Sequence, residues 1–211
     1  MQQVSPDTLP IARTIAHAPI SRRTFLRLLA ALPLLGAAAP LPARANDVVW
    51  DALRAGGHVA LIRHAAAPGT GDPPNFTLDD CATQRNLSAG GRGQAVRLGE
   101  AFRANGVPVE TILTSGWCRC IDTATLAFGT AEVWPTLHSF FRDAGTEAAQ
   151  TADLRAGVAS WGGPGTLVLV THQVNVTALT TIFPAEGEVI VLAPAPDLPA
   201  GFTIVGRVAA F

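Results

Sequence analysis

The stretch Thr166-Leu167-Val168-Leu169-Val170 constrains the fold more than any other in the chain, because it is β-branched and aliphatic throughout and then breaks into Thr171-His172. A strand without polar alternation is buried on both faces, the situation of a parallel sheet covered by helices. The same signature recurs at His58-Val59-Ala60-Leu61-Ile62, which runs into Arg63-His64. A further strand is expected over 109–113, and closing strands over 189–192 and 203–208. Ser88 can cap a helix whose apolar residues Ala95, Leu98 and Phe102 recur at i, i+3 and i+7, ending by Asn105-Gly106. Further helices are expected over 121–128 and 146–160, the second closed by Gly162-Gly163-Pro164-Gly165. This alternation implies an α/β domain, a three-layer sandwich with a largely parallel central sheet and helices on both faces. Such sheets put ligand sites beyond the carboxyl ends of their strands. Arg63-His64, the turn 115–119 and Thr171-His172 should therefore meet at one crevice, beside a Pro/Gly/Asp-rich loop over 68–75.

The 211 residues are 48% hydrophobic and 15% charged with net charge -1, which excludes a disordered chain, a collagenous repeat and a lysine-rich nucleic-acid tail. No nucleic-acid partner is expected. The charge is unevenly spread. Residues 1–45 hold five Arg against Asp7, net +4, and residues 46–211 hold ten Arg against fifteen acids, net -5. Ser21-Arg22-Arg23-Thr24-Phe25-Leu26 precedes an Ala/Leu-rich run over 28–41 and then Ala43-Arg44-Ala45. Charged start, short apolar middle and small-x-small end are the layout of a secretory leader. The Arg pair with its Ser, Phe and Leu resembles the twin-arginine export signal, which implies the twin-arginine export machinery as a partner. At fourteen residues with Pro33 and Pro40 inside it, the apolar run falls short of the roughly 20 needed to span a bilayer. Cleavage near Ala45 is expected to leave a periplasmic domain of residues 46–211 that spans no membrane.

Cys81, Cys118 and Cys120 lie in that domain. An oxidising compartment permits one disulfide and one spare thiol. One intervening residue is too tight for an easy bridge between Cys118 and Cys120, so Cys81 is expected to pair with one or the other. The scattered histidines give no zinc-ligand pattern.

Four segments, in this order and spacing, resemble the histidine phosphatase superfamily, the phosphoglycerate mutase-like group. They are Leu61-Ile62-Arg63-His64-Ala65, then Leu87-Ser88-Ala89-Gly90-Gly91-Arg92-Gly93-Gln94-Ala95, then Thr114-Ser115 with Arg119 and Thr123-Ala124, and last Val170-Thr171-His172. The resemblance implies a phosphomonoester hydrolase that carries the phosphoryl group on His64 as a phosphohistidine, with Arg63, Arg119 and His172 as the phosphate pocket and no metal or other cofactor. The chemistry of the side chains agrees. Arg offers a planar fork of donors to phosphate oxygens, and neighbouring guanidinium groups keep an imidazole neutral and nucleophilic. His58, at the opposite end of its strand, and His138, in a loop, have no such context. Intervals of 55 residues from His64 to Arg119 and 53 from Arg119 to His172 leave no room for a large cap domain. An open pocket for a small or envelope-associated phosphate ester is expected, sugar phosphates of the envelope included.

Two positions depart from the family pattern. Ala65 stands where Gly is usual, so the turn must avoid positive φ. Gln173 stands where the acid phosphatase branch has its proton-donating Asp. The mutase-like branch takes its acid from between the second Arg and the late His, which gives Asp143 first and Glu147 second as general acid. Gln173 and Asn175 are expected to hydrogen-bond substrate. The missing acid keeps open a phosphate-binding protein without turnover, and a phosphohistidine or phosphoprotein phosphatase is the other alternative.

Overall fold

The computed structural model describes residues 45–211, so the expected leader lies outside the described residues up to position 44. Six strands form one sheet in the order β3-β2-β4-β1-β5-β6: β1 (Val59–Arg63), β2 (Val109–Thr114), β3 (Glu132–Val133), β4 (Thr166–Thr171), β5 (Val189–Pro194) and β6 (Phe202–Val208). β4 lies between β1 and β2, parallel to both, with Ile62 beside Val170 and Leu113 beside Leu169. β3 joins β2 in parallel, whereas β5 runs antiparallel to β1 and β6 antiparallel to β5. Every residue of β4 is buried, as its unbroken apolar run requires.

Side chains alternate between two helical layers. On one face Ala60, Ile62, Val168 and Val170 pack against α1 (Ala45–Ala55), α2 (Ala89–Ala104) and α3 (Cys118–Phe128). On the other, Val59, Leu61, Leu167 and Leu169 pack against α4 (Glu147–Ala159) and α5 (Gln173–Thr180). The architecture is the α/β three-layer sandwich with a largely parallel sheet. α1 is an element that the sequence reading lacks. It buries Val49, Trp50 and Leu53 and exposes Asp51 and Arg54, an amphipathic spacing overshadowed by the apolar run before it. β3 is also new, a two-residue edge strand too short to leave a periodic signal. Among the described residues no helix is long and apolar enough to cross a membrane.

Candidate active site

β1, β2 and β4 end side by side, and each hands its next residues to the same rim. The amide of His64 donates to the Thr171 carbonyl (2.9 Å) and that of Ser115 to the Val170 carbonyl (3.0 Å), so the sheet ladder itself fixes where the side chains start. α3 and α5 begin on that rim, directing the positive ends of their backbone dipoles toward it. Arg63, His64, Asp72, Arg85, Arg119 and His172 line one cleft of about 210 Å³.

The turn after His64 is held by the segment 87–95. Ser88 Oγ accepts from the Gly91 amide (3.0 Å) and starts α2. Gly91 lies so close to the turn that a Cβ there would sit 2.1 Å from the Ala66 carbonyl oxygen. Gln94 then clamps the turn, its Oε1 accepting from the Ala66 amide (2.8 Å) and its Nε2 donating to the Glu186 carbonyl (2.9 Å). The Ala65 amide donates to Thr123 Oγ1 (3.0 Å), and that hydroxyl donates to the Arg119 carbonyl (2.7 Å), linking both sides of the cleft. Ala65 is accommodated without positive φ, which Thr181 alone adopts among the described non-glycine residues.

His64 is 2% exposed. Its Nδ1 lies 2.8 Å from the Ala65 carbonyl oxygen, an acceptor, so Nδ1 carries the proton and Nε2 keeps its lone pair. Burial first, and then the charges of Arg119, Arg85 and Arg63, lower its pKa to about 3. His172 crosses it edge to face at 5.6 Å between ring centres. It accepts from Arg119 Nη2 at Nδ1 (3.3 Å) and therefore donates from Nε2 to Ser115 Oγ (2.8 Å). Burial, and then Arg119, hold its pKa well below the usual value.

Arg63 donates to the Pro184 carbonyl (2.9 Å) and reaches Glu186 Oε1 (3.4 Å). Arg85 enters the cleft from the loop side, its Nε donating to the Gly71 carbonyl (2.9 Å). The sequence reading missed Arg85, which precedes the 87–95 motif and belongs to no periodic pattern. It also missed Asp72, whose carboxylate is held by Arg119 on two oxygens (2.8 and 3.3 Å), by the Arg85 amide (3.0 Å) and by Trp117 Nε1 (3.1 Å).

The other expected residues are distributed differently. Gln173 lines the cleft, with its Nε2 turned to Thr177 Oγ1 (2.8 Å). Asn175 is buried behind the wall, donating to the His138 carbonyl (3.0 Å). Asp143 and Glu147 are exposed and are not among the cleft-lining residues, since the turn Ala144–Thr146 leads the chain away into α4. Cys81 is bonded to Cys118, with Cα atoms 5.7 Å apart, which fastens the 68–84 loop beside Arg119. Cys120 is the free thiol, completely buried, and burial pushes its pKa up to about 12.

No protein-family model and no curated protein matches the chain significantly. Its architecture does recur among solved structures. A mycobacterial hydrolase superposes with a TM-score of 0.51 at 18% identity over 73% of this chain and 98% of its own. A phosphoserine phosphatase from Entamoeba histolytica, in complex with 3-phosphoglyceric acid, gives 0.51 at 11% over 72% and 97%. The fold is phosphoglycerate mutase-like. A mycobacterial glucosyl-3-phosphoglycerate phosphatase gives 0.50 at 17% identity over 72% and 99%.

Proposed function

We propose that the chain is a phosphomonoester hydrolase that works without a metal, through a phosphohistidine on His64. The observation that carries this reading is the state of His64: a neutral imidazole with Nδ1 tied to the Ala65 carbonyl and Nε2 free, in a cleft that Arg63, Arg85 and Arg119 also line. A phosphoryl group in transfer spreads negative charge over its oxygens, and catalysis consists largely of holding those oxygens on fixed cations with a nucleophile in line. Arg63, Arg85 and Arg119 supply the cations. When the phosphoryl group takes Arg119 from His172 Nδ1, that nitrogen takes up a proton beside the new negative charge, and His172 then donates to the phosphoryl oxygens. The fold shared with two phosphatases supports the reading.

The substrate in this reading is a small phosphate ester. The cleft volume of about 210 Å³ lies below the roughly 300–1,000 Å³ of sites for drug-sized ligands. Phe141 and Phe183, both exposed, stand at its mouth and offer the alcohol portion an aromatic surface. With the leader pattern of residues 1–45, an envelope phosphate ester met after export is the proposed natural substrate.

The test is hydrolysis of an aryl phosphate by the wild-type chain and by His64→Ala, each with and without a chelator. Wild-type turnover indifferent to chelator, and loss of at least about a thousandfold in His64→Ala, are expected. Activity that survives the substitution, or that vanishes with chelator, defeats the assignment. Phosphate binding without turnover of any phosphomonoester would make the chain a phosphate-binding protein.

A further inference from the structure

Arg119 has five N–H donors, and four are engaged within the protein. Its Nη1 donates to Asp72 Oδ1 (2.8 Å) and to the Arg85 carbonyl (3.3 Å), and its Nη2 donates to Asp72 Oδ2 (3.3 Å) and His172 Nδ1 (3.3 Å). Nε, buried, has no partner. Arg119 is 2% exposed, and both Nη atoms are committed to partners within the protein. A phosphoryl group can occupy this fork only by taking it from Asp72.

Asp72 is also the one carboxylate that lines the cleft among the described residues. Glu186 does not line the cleft, its Oε1 accepting from the Ala67 amide (3.2 Å) and from Arg63 Nη2 (3.4 Å) and lying 3.9 Å from Arg85 Nη1. We propose that Asp72 is the proton donor to the leaving alcohol, released for that work when the substrate's phosphoryl group displaces it from Arg119. The proposal rests on the hydrolase reading above and supplies the acid that reading lacks.

The groups around Asp72 explain how one carboxylate serves both states. Burial of its side chain by itself raises the pKa, but the hydrogen bonds from Arg119, the Arg85 amide and Trp117, with the Arg119 charge, outweigh it and hold the free protein's carboxyl below the usual range. Arg142 lies nearby and donates to the Asp72 main-chain carbonyl. When a phosphoryl dianion takes Arg119, Asp72 loses its strongest partner and gains a like charge beside it, and both changes favour the protonated acid. The His64 Nε2 lone pair then attacks phosphorus, and the bond from phosphorus to the ester oxygen breaks with its electron pair on that oxygen. The Asp72 proton goes to this oxygen, leaving alcohol, phosphohistidine and the Asp72 carboxylate. In the second half, Asp72 takes a proton from water as the water oxygen bonds to phosphorus. The P–N electron pair returns to His64, inorganic phosphate leaves, and the net change is ester plus water to alcohol plus phosphate.

Asp72→Asn in the full chain, assayed with phosphates graded from nitrophenyl to phenyl to alkyl, tests the assignment. Because a nitrophenolate leaves without a proton, its kcat/KM, which reports only the half-reaction that releases the alcohol, should fall far less than that of alkyl phosphates, which should drop by about 10²–10⁴-fold. The shared second half lowers kcat for every ester. Asp72→Glu should restore part of the alkyl rate, which separates an acid from a merely structural residue. Calorimetric titration with inorganic phosphate in buffers of different ionisation enthalpy should show wild type taking up ~1 more proton per phosphate bound than Asp72→Asn. Equal losses of kcat/KM for all leaving groups overturn the proposal. So does tighter phosphate binding with unchanged kcat throughout, which would make Asp72 only an internal competitor for Arg119. If wild type hydrolyses nothing, the hydrolase reading fails by itself, and equal proton uptake by the two proteins would still overturn the role of Asp72.

Discussion

His64 is neutral in the folded protein down to about pH 3, whereas in an unfolded chain it takes up a proton near pH 6.5. The unfolded state therefore binds more protons throughout that interval. Stability present above about pH 6.5 is lost as pH falls toward 3, by up to about 1.4 kcal/mol for each pH unit. His172, also held below its ordinary value, acts in the same direction. The carboxyls of Asp72 and Glu188, both lowered, lose their contribution at lower pH, through and below the ordinary carboxylate range. We expect the urea midpoint of the wild type to fall between about pH 7 and about pH 5, and the fall to be shallower in His64→Gln. Parallel pH dependences for the two proteins would remove His64 as the cause. At this scale the sequence was legible where a residue follows a buried strand, as Arg63, His64 and His172 do. It was not legible for Asp72 and Arg85, which reach the cleft from a loop whose path depends on a distant cysteine.

The segment 87–95 resembles a functional motif, yet none of its side chains lines the cleft. It acts by fixing the turn after His64, through the missing Cβ of Gly91 and the two-sided clamp of Gln94. The loop on the opposite side is fixed covalently, since the Cys81–Cys118 bond joins residues 37 apart and lands next to Arg119. A loop of this size restricts the unfolded chain by about 3–4 kcal/mol in the chain-entropy account. Cys81→Ser is expected to lower unfolding stability by about 2–4 kcal/mol and to raise KM for aryl phosphates several-fold, because Asp72 and Arg85 ride on the freed loop. Denaturant titration and steady-state kinetics measure the two effects. An unchanged KM would show that the loop keeps its place by hydrogen bonds alone. The choice between Cys118 and Cys120 could not be read from spacing. It depends on the direction each side chain takes at the start of α3, where Cys120 turns inward to lie 3.6 Å from His172 Nε2.

For the whole molecule, the alternation of buried runs with helical periodicity gave the layers and the central strands. The antiparallel turn of β5 and β6 at one edge, and α1 against β6, depend on contacts between distant segments and left no local pattern. The export proposal belongs to this scale as well. Replacing Arg22 and Arg23 together by Lys is expected to trap the full chain on the cytoplasmic side in a bacterium with a working twin-arginine system, as fractionation and blotting would show. Undiminished export of that variant would indicate another route.

The amide of His64 is bonded to Thr171, the residue before His172, so the two histidines keep the spacing of neighbouring strands. Asp72, Phe141 and Phe183, in contrast, stand on connecting segments outside the sheet. Sequence change in those segments can alter which alcohol is admitted, or how its proton arrives, while the ladder preserves the nucleophile. A lineage built on this frame has room to diversify in substrate while retaining one chemical step.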